Sequence, residues 1–406
     1  MGSLSGVRVL DLSRVFSGPW AAQMLADFGA DVIKVERPGR GDDVRQQGLR
    51  VKDADGRETK ETSSFLAMNR GKRSITIDMA QPAGQALIRQ LAEKSDILIE
   101  NFKAGDLARY GLDFGSLKDI NPKLVYCSIS GFGQSGPYSR LPGYDPIFQS
   151  MSGLMSITGH GDDEPGGGPM RVGYSVGDIT AGFYAVAAIL AALHHRDRAS
   201  GKGQHIDLSL LDSQVASISH VAMMYLVSGR QPPRLGNASP ITCPWQSFDC
   251  LDGQIVIAVG NDSQFVDFCA VIGKPELAKD ERFATNPLRA KNRPVLIPML
   301  SEVLKTRKVG DWHASFDAAG VPSGPINGFE EVFADPQIVH RQMLLSLPHA
   351  SADTVPQVAN PVKFSDTPIE YLRAPPLLGQ HTAEVLREIL LLDEAGILDL
   401  QRNRVV

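Results

Sequence analysis

Val7-Arg8-Val9-Leu10-Asp11-Leu12, followed after a loop and a helical run by Val32-Ile33-Lys34-Val35-Glu36, is the stretch that decides the fold. Both pieces are short and apolar, as buried strands are. Between them, residues 13–19 read as a loop and 20–28 as a helix, with Pro19 suited to the first helical position and Gly29 to the stop. Strand, helix and strand in succession make a βαβ unit, which implies a parallel sheet with a right-handed crossover. The loop after the first strand carries Ser17-Gly18-Pro19 rather than Gly-x-Gly-x-x-Gly, which disfavours a nicotinamide or flavin dehydrogenase.

The alternation continues outward. Residues 74–78, 96–100, 124–130 and 205–210 read as strands, and 82–94 and 103–110 as helices. The expected fold class is α/β, with a Rossmann-like large domain over residues 1–200 built on a parallel sheet. Residues 201–227 form a connecting helix and linker, and 228–240 are rich in Pro, Gly and Asn. Asp252-Gly253 between two alternating runs is a hairpin signal and belongs to a smaller α+β domain, 228–328. Residues 329–406 return and complete the large domain, with a strand at 361–364 and a helix at 383–392.

Composition excludes several classes. A net charge of -5 without a basic, aromatic-studded patch argues against nucleic-acid binding. Four scattered cysteines without C-x-x-C spacing make neither a disulfide framework nor a zinc site. The longest apolar stretch, 183–193, is shorter than the ~20 residues that span a bilayer, and residues 1–7 lack signal character. The expectation is a cytoplasmic protein with no metal, no membrane span and no nucleic-acid partner.

The chemistry concentrates in a few places. Val172-Gly173-Tyr174-Ser175-Val176-Gly177-Asp178 delivers an aspartate to the start of an Ala-rich helix. One reading of Asp178 is a helix N-cap. The other uses the same backbone N–H groups and helix dipole to keep the carboxylate ionised, so that it can attack an activated carbonyl. Arg37, after the second strand, suits a purine or a phosphate, or is a solvated surface residue. Lys72 and Arg73, in Asn69-Arg70-Gly71-Lys72-Arg73-Ser74, suit phosphates at a strand mouth or form a solvated charge run. The glycine- and acid-rich segment 159–168 reads as a mobile loop, and His381 as a helix-start histidine with a structural or a catalytic role.

Taken in order, several motifs resemble the class III CoA-transferases, the formyl-CoA transferase or CaiB/BaiF type, along the whole chain. They are Val9-Leu10-Asp11-Leu12 with Ser17-Gly18-Pro19, Gly29-Ala30-Asp31-Val32-Ile33-Lys34-Val35-Glu36, and Asn69-Arg70-Gly71-Lys72-Arg73-Ser74. Ile99-Glu100-Asn101-Phe102, Val176-Gly177-Asp178, Gly201-Lys202-Gly203-Gln204 and Gly379-Gln380-His381-Thr382 complete the set. The resemblance implies an interlocked homodimer that takes coenzyme A and acyl-CoA as substrates, with a carboxylic acid acceptor and no tightly bound cofactor. It makes Asp178 the nucleophile. It places Ser17, Arg37, Ile77, Asp78, Met79, Asn101, Phe102, Arg109 and Tyr144 at the CoA site, with Phe16, Lys72, Arg73 and Asp145 counted to the same site. Gly260 and Asn261 would supply oxyanion donors to the acyl intermediate.

Formyl-CoA transferases have Gln where this chain has Phe16 and a glycine-rich loop where it has Val259-Gly260-Asn261-Asp262, so the pattern resembles dicarboxylate-using relatives instead. A distal carboxylate calls for a cation, with Arg14, Arg45 and Arg171 as candidates. A 2-methylacyl-CoA racemase is an alternative, although Tyr144 stands where racemases carry the basic His of a Gly-His-Asp motif. A non-catalytic CoA-binding protein is the third reading.

Overall fold

In the computed structural model, which describes residues 2–406, six strands form one parallel sheet. They are β1 (Arg8–Asp11), β2 (Asp31–Glu36), β3 (Lys72–Thr76), β4 (Ile97–Glu100), β5 (Val125–Ser130) and β6 (His205–Ser209), in the spatial order 3-2-1-4-5-6. The period-2 alternation of each strand feeds two cores. Leu10, Ile33, Ile75, Leu98 and Tyr126 pack on one face with Leu87, Ile88 and Leu91 of α2 (Pro82–Glu93). Val9, Val32, Ile99 and Cys127 pack on the other with α1 (Ser17–Asp27) and α4 (Val176–His195); α3 (Asp145–Met151) lies between α2 and α4 in the chain.

The strand order reverses between β1 and β4. Open α/β sheets bind ligands at such a reversal, outside the carboxyl ends of the strands. Here those ends carry Asp11-Leu12 and Glu100-Asn101.

Helices α1 and α4 cross closely. A Cβ on Gly182 would lie 2.9 Å from Trp20 Cδ1 and 3.1 Å from Ser17 O, so only glycine lets the two backbones approach there. By length and composition Val176–Ser200 would cross a bilayer. Its buried residues, including Ala181, Ala185 and Ile189, nevertheless pack into the second core, so the apolarity belongs to helix packing.

Two compact units divide the described chain. The larger runs to Ser152, resumes over Val172–Ser219 and ends with Pro336–Val406; the smaller holds Gly153–Arg171 and His220–Asp335. The smaller unit has a three-stranded antiparallel sheet, with Gln254–Ala258 between Trp245–Asp249 and Ser323–Pro325. Its core includes the stacked rings of Phe265, Phe268, Phe316 and Trp312. Segment 159–168 packs within this unit rather than hanging free: Gly236 N–H donates to Gly159 O at 2.9 Å, and Arg234 pairs with Asp162 and donates to His160 O at 3.2 Å.

Local expectations fail where tertiary contacts override periodicity. The helix expected at 103–110 is one 3₁₀ turn, Ala108–Tyr110, and the strand expected at 361–364 is absent. A hairpin of Leu344–His349 and Asp353–Val358 stands in the returning segment instead. The one connecting helix expected within 201–227 is two, Leu210–Ser217 and Ser219–Ser228.

Candidate active site

Asp178 is the third residue of α4, one turn deeper than an N-cap. The cap position belongs to Ser175, whose side chain makes no capping bond. The Asp178 carboxylate is partly buried and shares a cleft with Ser17, at the start of α1, whose hydroxyl and backbone N–H favour its charged form. Burial, then the neighbouring charge of Asp145, push its pKa up to about 7, against the opposing pull of Ser17. The expected permanently ionised state is therefore wrong. Near neutrality this carboxyl exchanges a proton, and its charged form is more basic than a surface aspartate.

Asp145 explains both the charge and the position. It is buried at the first turn of α3, with Oδ1 accepting from Gly177 N–H at 2.7 Å and Oδ2 from Gln149 Nε2 at 2.6 Å. It thus caps an unpaired donor at the start of α4. Gln149, also buried, accepts from Val172 N–H at 2.8 Å and donates to Tyr174 O at 3.3 Å. One turn of α3 therefore clamps the segment that delivers Asp178. Gly177 is required there, since a Cβ would lie 2.9 Å from Asp145 Oδ1 and 3.0 Å from Gln214 Oε1.

Three clefts open at this edge of the large unit. The first, about 220 Å³, is lined by Arg37, Ile77, Asp78, Met79, Phe102 and Arg109. The second, about 290 Å³, contains Ser17, Asn101, Phe102, Tyr144 and Asp178, and shares Arg14, Asp43, Phe102 and Asp106 with the first. The third, about 620 Å³, contains Phe16, Tyr144, Asp145 and Asp178. Asn101 ties the walls together: Oδ1 accepts from Arg14 N–H at 2.8 Å and Nδ2 donates to Arg14 O at 2.6 Å. The Arg14 guanidinium lies 4.7 Å from the centre of the Phe102 ring. A half-neutralised carboxylate at the meeting of clefts that also hold Arg14, Arg37 and Arg109 can be acylated by a thioester that fits them.

The family model described as CoA-transferase family III matches residues 4–382. The chain belongs to that family. It is a CoA-transferase, and such enzymes take CoA thioesters as substrates. The succinate–glutarate CoA-transferase of Agrobacterium fabrum is 50% identical over 95% of this chain and 95% of its own length. The human succinyl-CoA:glutarate CoA-transferase is 40% identical over 99% of this chain and 90% of its own. A crystal structure of a CaiB/BaiF family protein from Brucella suis superposes with a TM-score of 0.84 and 45% identity, covering 96% of this chain and 99% of that one.

Some residues singled out in the sequence stand away from the transferase's clefts. Lys72 is wholly buried and donates to Asp11 Oδ2 at 2.9 Å and to Pro19 O at 3.0 Å; burial pulls its pKa down to about 8, against the attraction of Asp11. Arg73 binds Asp31, Glu384 and Glu388, fastening β3 to the C-terminal helix Thr382–Leu390. Neither has a free face for a phosphate: β3 is an edge strand, but both side chains are buried and their donors are taken up by Asp11, Pro19 O, Asp31, Glu384 and Glu388. Lys72→Met is expected to cost about 3 kcal/mol by stranding buried Asp11. It should lower Tm without raising KM for the acyl-CoA donor, as thermal denaturation and steady-state kinetics would show.

His381 caps Thr382–Leu390, its Nδ1 accepting from Ser74 N–H at 3.2 Å and its own N–H donating to Ser74 O at 2.9 Å. Burial pushes its pKa down, and the ring serves as a strut. In the smaller unit, Asn261 caps Asp262–Val271 by accepting from Gln264 N–H, and Gln264 Oε1 accepts from Gly260 N–H, each at 2.8 Å. The Gly260 amide expected as an oxyanion donor is thus already engaged by a side chain.

Arg45 is excluded as a substrate cation, since it is buried against Glu36, Glu61 and Pro376 O. Sequence reasoning missed Gln149 and Arg40. The Asp145…Gln149 spacing, i to i+4 on one helix face, was the available signal for the first. No cluster of metal-ligating side chains occurs among the described residues.

Proposed function

We propose that this enzyme moves coenzyme A from succinyl-CoA to a short dicarboxylate such as glutarate through covalent acylation of Asp178. The observation that carries this reading is Asp178 itself: a carboxyl beside Ser17 at the meeting of two clefts, with basicity raised to about 7. The names of the Agrobacterium fabrum and human relatives support the substrate pair.

Ionised Asp178 attacks the thioester carbonyl, the C–S bond breaks, and a mixed anhydride and CoA thiolate result. The thiolate attacks the aspartyl carbonyl of the anhydride, releasing the donor acid and leaving an aspartyl-CoA thioester. The acceptor carboxylate attacks that thioester and expels the thiolate, which then attacks the acceptor carbonyl of the second anhydride. Asp178 is regenerated, and the bonds exchanged are close in energy, so no nucleotide hydrolysis is needed. Ser17 orients the attacking oxygen. The first and second clefts, continuous through Arg14, Asp43, Phe102 and Asp106, would take the nucleotide and the pantetheine arm.

The racemase reading lacks its base, because no histidine lines the three clefts among the described residues. The test is trapping. Enzyme turning over succinyl-CoA and glutarate in hydroxylamine should carry a hydroxamate on the peptide containing Asp178, seen by mass spectrometry. Continued turnover with that peptide unmodified and activity undiminished would sink the scheme.

A further inference from the structure

The geometry points to Arg40 as the residue that reads the far carboxylate of the acyl group, and so selects dicarboxylic over monocarboxylic substrates. The inference rests on the dicarboxylate reading above. Two clefts share Asp178 and Tyr144. The first cleft meets the second at Arg14, Phe102 and Asp106, meets the third at Arg40, and touches both at Asp43; on the reading above coenzyme A reaches Asp178 through the second. The third cleft is left for the acyl chain. Among the described residues its wall has one cation, Arg40; its other charged members are Asp43, Asp145 and Asp178. A substrate with a second carboxylate, entering a cleft that already holds three carboxyl groups, needs that charge.

Arg40 is presented on a braced turn. Gly39 and Gly41 flank it, both at φ +72°, a backbone state that favours glycine. Gly41 N–H donates to Arg37 O, and Asp42 N–H donates to the buried Glu36 Oε2, each at 2.9 Å. Asp42 is itself paired at 2.9 Å with buried Lys34, so the turn stands on an interior ion network. Above it the Arg40 side chain is 62% exposed and pairs with Asp43 at 3.2 Å. An exposed pair of this kind contributes little and exchanges readily. The guanidinium can therefore offer two N–H groups to an incoming carboxylate, the bidentate geometry that arginine favours. Arg40 also borders the first cleft and is the one cation that the first and third share; Arg37 and Arg109 line the first alone, Arg14 the first two, Lys103 the second, and Arg45 is buried and saturated.

The test uses the full-length enzyme with butyryl-CoA as donor, so that only the acceptor carries a second carboxylate. Glutarate and pentanoate are compared as acceptors. Wild type should prefer glutarate. In Arg40→Met, KM for glutarate should rise about 30-fold, the loss expected for one charge-assisted contact. Pentanoate transfer and KM for butyryl-CoA should stay unchanged, and Arg40→Lys should recover part of the preference. Two results overturn the assignment: an Arg40→Met enzyme with the wild-type ratio of the two acceptors, or equal losses with both together with a raised donor KM, which would place Arg40 on coenzyme A. A wild-type enzyme with no preference for dicarboxylates overturns the substrate reading itself, before any variant is made.

Discussion

Asp178→Asn is expected to lower kcat for CoA transfer by at least about ten-thousand-fold, since an amide cannot form the acyl intermediate that each half-reaction requires. The variant should remain folded and bind CoA, because the first cleft does not include residue 178. Its stability gives a second, independent reading. The folded carboxyl titrates near 7, well above its ordinary 3.8. Between those values the folded protein holds a proton that the unfolded chain has lost, so this group makes stability fall as pH rises across the window. Above pH 7 the whole penalty is present. The asparagine variant is free of it and should be the more stable at pH 8, by about 2 kcal/mol once partial solvent access is allowed for. The gap should narrow as pH falls through 7 and close below about 4. Thermal melts at pH 4, 6 and 8, alongside transfer assays, check both claims. Full activity in the variant, or a stability gap indifferent to pH, would contradict them.

The sheet was legible because its strands carry their burial in their own sequence. Val9 and Leu10 face opposite cores, and so do Ile33 and Val32, so period-2 apolar runs between helical segments leave one topology. Asp178 was legible as a position but not as a state. Sequence supplied the helix start and its dipole, which favour ionisation; burial and Asp145, 33 residues away in the chain, outweigh it and raise the pKa. Lys72 and Arg73 misled for a related reason. A cation cluster at a strand looks solvated or phosphate-binding until the partners of those cations are known. Asp11 lies on β1 and Asp31 on β2, and neither pairing has a local signal. The hairpin Leu344–His349 with Asp353–Val358 was hidden by Pro348 and Pro356, which count against strands unless their missing N–H groups fall outside the ladder. Arg40 was passed over because one exposed arginine between glycines resembles any surface loop; its meaning comes from the cleft it borders.

Asp145→Asn is expected to move the rising limb of the pH–kcat/KM profile downward from near 7, by about one pH unit, as removal of one like charge nearby should. Burial is the larger cause of the raised Asp178 pKa and the Asp145 charge the second, so the limb should stop well short of an ordinary aspartate. Two further effects accompany the shift. Asparagine Oδ1 can still accept from Gly177 N–H, which preserves the α4 cap, but its amide NH₂ would face the Gln149 Nε2 donor that Asp145 Oδ2 now accepts. That mismatch should cost about 1–2 kcal/mol and lower Tm. A less basic Asp178 is also a weaker nucleophile, so the high-pH plateau should fall while activity below pH 6 is relatively spared. The two effects are separable, because a merely structural role for Asp145 would depress activity at every pH alike. A limb that stays at 7 would show that the charge of Asp145 does not set the basicity of Asp178, and burial alone would then account for the poised carboxyl.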